Sequence, residues 1–149
     1  MGDSDEKSAV YQKQIEELNL QEWIYIENSY SFGNGKLENF LEENCDIAMG
    51  IFGDSEKAKN VTANKVIDAC AMKIPIITGF SAALKEFFNN DSIYMVEEPT
   101  IENIAKTIIE VAKKDIQEVA RNTESAYKIY QDNFSYEAYK TKILKLLDK

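Results

Sequence analysis

Apolar residues recur along this chain with two periods. Between residues 45 and 99 lie three short runs rich in apolar and β-branched side chains: CDIAMGIF (45–52), IPIITG (74–79) and SIYMVEEP (92–99). Runs of this length and make-up predict strands of a buried parallel sheet. Between the first two, NKVIDACAM carries Val66, Ala69 and Cys70 at helical spacing, and small Ala69 and Ala71 allow close packing on a sheet. Residues 81–88 read as a short helix. After Pro99 the period is helical throughout. TIENIAKTIIEVAKKD places Ile101, Ile104, Ala105, Ile108 and Val111 on one face behind Thr100 as N-cap, and IQEVARNTESAYKIYQDNF and SYEAYKTKILKLLD complete three helices.

Upstream, SDEKSAVYQKQIEELNL has Val10, Tyr11, Ile15 and Leu18 at helical spacing, with Ser4 as N-cap. WIYIE (23–27) is aromatic and β-branched and predicts a short strand. NSYSFGNG reads as a loop, followed by a helix through KLENFLEEN. Strands alternating with helices predict an α/β fold built on a parallel sheet. There is no internal repeat and no low-complexity linker, and a length of 149 residues fits one domain spanning 1–149.

Charge narrows the choice of partner. The chain has 17 basic and 26 acidic residues, a net charge of −9. That balance argues against nucleic acid, whose phosphates need clustered Lys and Arg, and leaves room for a small anion held by a local donor cluster. Histidine is absent, and Cys45 and Cys70 both lie in apolar stretches, so no Cys/His metal spacing exists and a reduced, cytoplasmic setting is expected. No apolar run approaches the ~20 residues of a membrane helix, and the acidic start MGDSDEKSAV is unlike a signal peptide.

Candidate chemistry sits where the first strand gives way to the helix. In an open parallel sheet, ligands bind at the carboxyl ends of the strands. The run 45–52 ends at Gly53, so the loop 54–63 lies on that edge, and the helix after it points its N-terminus there. Unpaired N–H groups and about half a positive charge make such an end favourable for a diphosphate. Lys65 in the first turn adds a full charge. Asp68 shares its face three residues on and is suited to accept from the vicinal hydroxyls of a ribose. The same pair also fits an ordinary surface ion pair worth a few tenths of a kcal/mol, and Lys57 and Lys59 fit a solvated loop face.

The stretch from Asp46 to Thr78, DIAMGIFG…NKVIDACAMKIPIIT, resembles the C-terminal half of GT-B glycosyltransferases. It is most similar to the retaining group that includes many cell-envelope polysaccharide enzymes, whose pattern is N-K-x-x-E-A-x-A-x-G-x-P-V-I. Asn64, Lys65, Ala69, Ala71, Pro75 and Ile77 match that pattern. GDSDEKSAVYQKQIEELNLQEWIYI resembles the family's stretch after its second Gly-rich turn, and DNFSYEAYKTKILKLL its closing helix. The resemblance implies a Rossmann-like sheet with flanking helices, preceded in the family by two further strands and an acceptor-binding domain, neither of which is expected within residues 1–149.

It also implies roles. Asp68 stands where the family's second motif glutamate binds the nucleotide ribose, and Asn60 where the first contacts the donor sugar. Lys65 would lie near the diphosphate. Backbone N–H groups around Val61, Thr62 and Asn64, with Gly53 on the same loop, would hold phosphate oxygens, and Gly2 and Asp3 stand at the family's G-D-G turn. Several positions depart from the pattern. Asp68 shortens the reach by a methylene, Asn60 removes a charge, and Ser4 replaces a glycine. Lys73 replaces the glycine that closes the helix in the αL conformation, so Lys73 must take that dihedral itself or end the helix differently.

The expected function is thus the donor-binding part of a glycosyltransferase using a nucleotide-diphosphate sugar, in cell-envelope glycan or polysaccharide synthesis. No cofactor and no metal are implied beyond that substrate, and the catalytic residues are not identified. An acceptor-binding domain or subunit is the implied partner, and peripheral membrane association stays open. The alternatives are a non-catalytic subunit of a split transferase and an inactive structural remnant. Tyr136, Tyr139, Ile143, Leu146 and Leu147 form an apolar stripe on the last helix that either covers the chain's own core or meets a partner.

Overall fold

A computed structural model describes residues 5–27, 29–30 and 35–147. Two compact units are present, Met1–Asn44 and Cys45–Lys149. The expected N-cap Ser4 lies outside the described residues.

In the first unit, helix α1 spans Asp5–Glu17 and helix α2 spans Lys36–Asn44. Ile15 is the buried member of the α1 stripe, whereas Val10, Tyr11 and Leu18 are exposed. Asn19 ends α1 in the left-handed region (φ 55°), and the Leu20 N–H returns to the Ile15 carbonyl at 2.9 Å, the kind of closure for which Asn is the usual substitute for Gly. The strand expected at 23–27 does not form. Trp23 and Ile24 instead donate to the Leu20 carbonyl in a turn, and residues 24–27 are irregular. Aromatic and β-branched composition favours a strand only when a neighbouring strand satisfies its backbone. Among the described residues none pairs with this segment, and Trp23 and Tyr25 are exposed.

The second unit carries the sheet. Strands β1 (Ala48–Met49), β2 (Ile76–Gly79) and β3 (Tyr94–Val96) are parallel in the order β1-β2-β3. Regular pairing in β1 is short, but the ladder runs on: Ala48 donates to the Pro75 carbonyl, Gly50 to that of Ile77 and Gly79 to that of Ile51, each at 2.8 Å. Two glycines permit this approach. A Cβ on Gly50 would stand 2.6 Å from Thr78 Cβ, and one on Gly79 would stand 2.8 Å from the Ile51 carbonyl oxygen. Thr78 adds its Oγ1, which lies 3.3 Å from the Ile51 N–H that it accepts.

Central β2 is buried along its whole length, as its apolar run predicts. Ile77 clusters with Val96 and with Val111, Ile104 and Ile108 of α6 (Ile101–Ala112). Ile101 and Ala105, expected on the same face, are exposed, because they lie on the flank of the stripe that the other three define. Side chains alternate along a strand, so Ile76 faces the other side. There α4 (Asn64–Ala71) packs on β2 and against α7 (Ile116–Asn133), burying Val66, Ala69 and Cys70 as expected. Beyond α5 (Ala82–Lys85), Phe88 is buried and stacks on Phe134 at 5.9 Å. Helix α8 (Tyr136–Leu147) follows Phe134, and its Tyr136, Tyr139, Ile143, Leu146 and Leu147 are exposed among the described residues.

Lys73 takes the first of its two options. It adopts the left-handed conformation itself, at φ 55°. Its ammonium pairs with Glu124 at 2.7 Å and lies 4.4 Å from the centre of the Tyr127 ring, both on α7.

Candidate functional site

The carboxyl ends of the three strands define the edge where the site is expected. A short helix, α3 (Glu56–Lys59), follows β1, capped at its start by Ser55, whose Oγ accepts from the Ala58 N–H. The chain then crosses to Ala63, the N-cap of α4. Ala63 is extended (φ −74°, ψ 132°) and makes no side-chain cap hydrogen bond. An alanine side chain has no acceptor to offer; the Val66 N–H donates to the Ala63 carbonyl at 3.0 Å, and the N–H groups of Asn64 and Lys65 at the helix start suit an outside acceptor.

The position of this helix end is set by Ser81. Its Oγ donates to the Val61 carbonyl at 2.8 Å and accepts from the Leu84 N–H at 3.4 Å, capping α5. Ser81 is 2% exposed. One buried hydroxyl thus ties the loop before α4 to the end of β2, and so holds the α4 N-terminus at the carboxyl edge.

The expected site residues divide on inspection. Val61, Thr62, Asn64 and Lys65 come together at the start of α4, with Asn64 and Lys65 exposed and Asp68 half-buried one turn on. Asn60 is exposed and turned back: its Nδ2 donates to the Glu56 carbonyl at 2.9 Å, closing α3. Gly53 lines a cavity of about 570 Å³ at the same edge, but Lys65 and Asp68 do not line it. Gly2 and Asp3 lie outside the described residues.

That cavity brings in residues the sequence reasoning missed: Phe80 from the end of β2, and Glu97, Glu98, Pro99 and Thr100 after β3, facing Asp54 and Lys59 from the β1 side. The rule that placed Gly53 on this edge, applied to the two later strands, would have found them. Their charges matter. Asp54, Glu97 and Glu98 outnumber Lys59, so the cavity floor disfavours a diphosphate, whereas the start of α4 favours one. Glu97 is partly neutralised by Lys85 at 3.6 Å. Thr100 Oγ1 caps α6 by accepting from Asn103, and Asn103 Nδ2 donates to the Glu98 carbonyl at 2.9 Å, which fixes this wall.

Burial disfavours the thiolate at both cysteines. Burial pushes the Cys70 thiol up to about 12. Cys45 is also raised, chiefly by burial, against a hydrogen bond from the Ile47 backbone.

Parallel strands in this order, helices on both faces and a helix start at the carboxyl edge make the second unit Rossmann-like. The particular fold is that of the C-terminal domain of GT-B glycosyltransferases, as the sequence resemblance implied. The C-terminal domain of a glycosyl transferase group 1 family protein, LpcC from Francisella tularensis, superposes with a TM-score of 0.65 at 14% identity, covering 89% of this chain and 64% of that one. Anabaena Alr3699/HepE, solved in complex with UDP-glucose, superposes with a TM-score of 0.70 at 15% identity, covering 94% of this chain. This chain spans only 36% of the HepE chain. No protein-family model and no curated protein sequence matches the chain. Among the described residues no helix is long and apolar enough to cross a membrane.

Proposed function

We propose that this chain is the donor-binding part of a glycosyltransferase that uses a nucleotide-diphosphate sugar. The observation that carries the reading is the uncapped start of α4, fixed at the carboxyl edge by Ser81, with Lys65 in its first turn and Asp68 one turn on. The fold shared with two glycosyltransferases, one holding UDP-glucose, supports it.

In this reading the diphosphate rests against the N–H groups of Asn64 and Lys65, and the Lys65 ammonium meets the charge that grows on it as the glycosidic bond breaks. Asp68 accepts from the ribose hydroxyls. Asn60, tied to Glu56, gives up its place at the donor sugar. The sugar extends toward the cavity lined by Gly53, Phe80 and Thr100, where neutral hydroxyls suit carboxylate acceptors better than phosphate does. An acceptor domain or subunit supplies the other half of the cleft, and the setting is cytoplasmic synthesis of a cell-envelope glycan or polysaccharide.

Calorimetric titration tests this. UDP-glucose and UDP are expected to bind saturably and UMP about tenfold more weakly, since it lacks the second phosphate. Equal affinity for UDP and UMP, or no saturable binding of UDP-glucose, would overturn the proposal.

A further inference from the structure

The cavity of about 570 Å³ at the carboxyl edge is lined by three carboxylate residues, Asp54, Glu97 and Glu98, and one lysine, Lys59. Its size lies within the range of small-molecule pockets. The fold uses little of its charge. Glu97 is held by Lys85 at 3.6 Å, and the Lys85 ammonium also lies 5.3 Å from the centre of the Phe80 ring, so this pair is closed on itself. Glu98 serves the fold through its backbone: its carbonyl accepts from the Thr100 N–H at 2.8 Å and from Asn103 Nδ2 at 2.9 Å. Asp54 precedes α3, but Ser55 supplies the cap. Both Asp54 and Glu98 are exposed, and among the described residues neither carboxylate enters an ion pair.

With Glu97 offset by Lys85, two carboxylates and one ammonium remain on the lining, leaving one negative charge uncompensated. That surplus gives the fold nothing, since like charges repel. Toward a ligand it discriminates. A sugar hydroxyl donates to an accessible carboxylate in a charge-assisted hydrogen bond, whereas a carboxylate on the sugar is repelled.

We propose that Asp54 and Glu98 are specificity determinants for the transferred sugar: they accept a neutral hexose and reject a uronic acid, in which a carboxylate replaces the terminal hydroxymethyl group. This rests on the reading of the start of α4 as the diphosphate site, from which the sugar extends toward this cavity.

The test is calorimetric titration of the whole chain with UDP, UDP-glucose and UDP-glucuronate. UDP-glucuronate is expected to bind about tenfold more weakly than UDP-glucose at low salt, the effect of one like charge a few ångströms away at a protein surface. The ratio should shrink at about 1 M salt, where charges are screened within ~3 Å. Glu98→Gln and Asp54→Asn keep the side-chain shape and remove the charge, and each should bring the two donors about threefold closer. Glu137→Gln removes a charge from α8, outside the cavity lining, and should leave the ratio unchanged. Saturable UDP binding with equal affinity for the two donors would overturn the inference and leave the α4 site standing. No saturable binding of UDP would overturn both. A preference for UDP-glucose that both cavity variants leave intact, or that Glu137→Gln reduces as much as they do, would also overturn it.

Discussion

Replacing Ser81 by Ala removes one oxygen atom and two hydrogen bonds. The volume change is small, so almost no cavity forms, and the cost is polar. Loss of the α5 cap is worth about 1 kcal/mol. The Val61 carbonyl loses its 2.8 Å donor. Val61 is only half-buried, so this loss falls at the lower end of the usual range for an unsatisfied group, about 1 kcal/mol. The two terms share one atom and act on different elements, and together they predict a loss of about 2 kcal/mol. Equilibrium urea unfolding measures it, and the amide signals of residues 61–64 should shift in the native variant because their anchor is gone. A loss below about 0.5 kcal/mol, the level of an ordinary surface substitution, with those signals unmoved, would refute the claim that Ser81 positions the start of α4.

Other expectations follow from the same packing. Gly79→Ala places a methyl 2.8 Å from the Ile51 carbonyl oxygen and 3.2 Å from Phe52 Cα, both backbone. Such overpacking should cost about 2 kcal/mol or more in urea unfolding. At position 73, Lys73→Gly and Lys73→Ala both lose the Glu124 and Tyr127 contacts, so their difference isolates the backbone. Gly should exceed Ala by about 1 kcal/mol, the reverse of the order inside a helix; Ala at least as stable as Gly would contradict the positive φ. For the thiols, iodoacetamide at mildly alkaline pH should modify Cys45 before Cys70 in the native protein, read by peptide mass spectrometry. The raised Cys70 value also means that the native state keeps a proton the unfolded chain gives up near pH 9. Its contribution is therefore full below that pH and falls as pH rises toward 12, a decline that Cys70→Ala should flatten.

Much of the sheet was legible because burial on both faces writes itself into composition. IPIITG is apolar throughout and becomes the central strand, and the inward stripe Val66, Ala69, Cys70 needed only helical spacing to be read. The missing glycine marked Lys73 as a position with two options, and the structure shows which one it takes. WIYIE misled because strand formation belongs to the pair rather than to the segment. The apolar stripe of α8 was legible as a pattern, but its surroundings were not, since the same sequence serves a core or a surface. Of the candidate site, the start of α4 was visible in Lys65 and in the loop before it. Ser81 was not, because a buried serine tying two loops together leaves no local signature. Glu97 and Glu98 follow the third apolar run and so fall on the carboxyl edge by the same rule as Gly53, but that they share a cavity with Gly53 shows only once the order β1-β2-β3 is known.

The central claim is that Lys65 and Asp68 hold a nucleotide diphosphate and its ribose at the start of α4. Calorimetry of UDP-glucose against Lys65→Ala and Asp68→Ala, each first shown by urea unfolding to be folded, measures it most directly. Loss of a charge-assisted contact should weaken binding about tenfold or more in each variant, with the Lys65 variant also losing much of the salt dependence. Wild-type affinity in both variants would contradict the account.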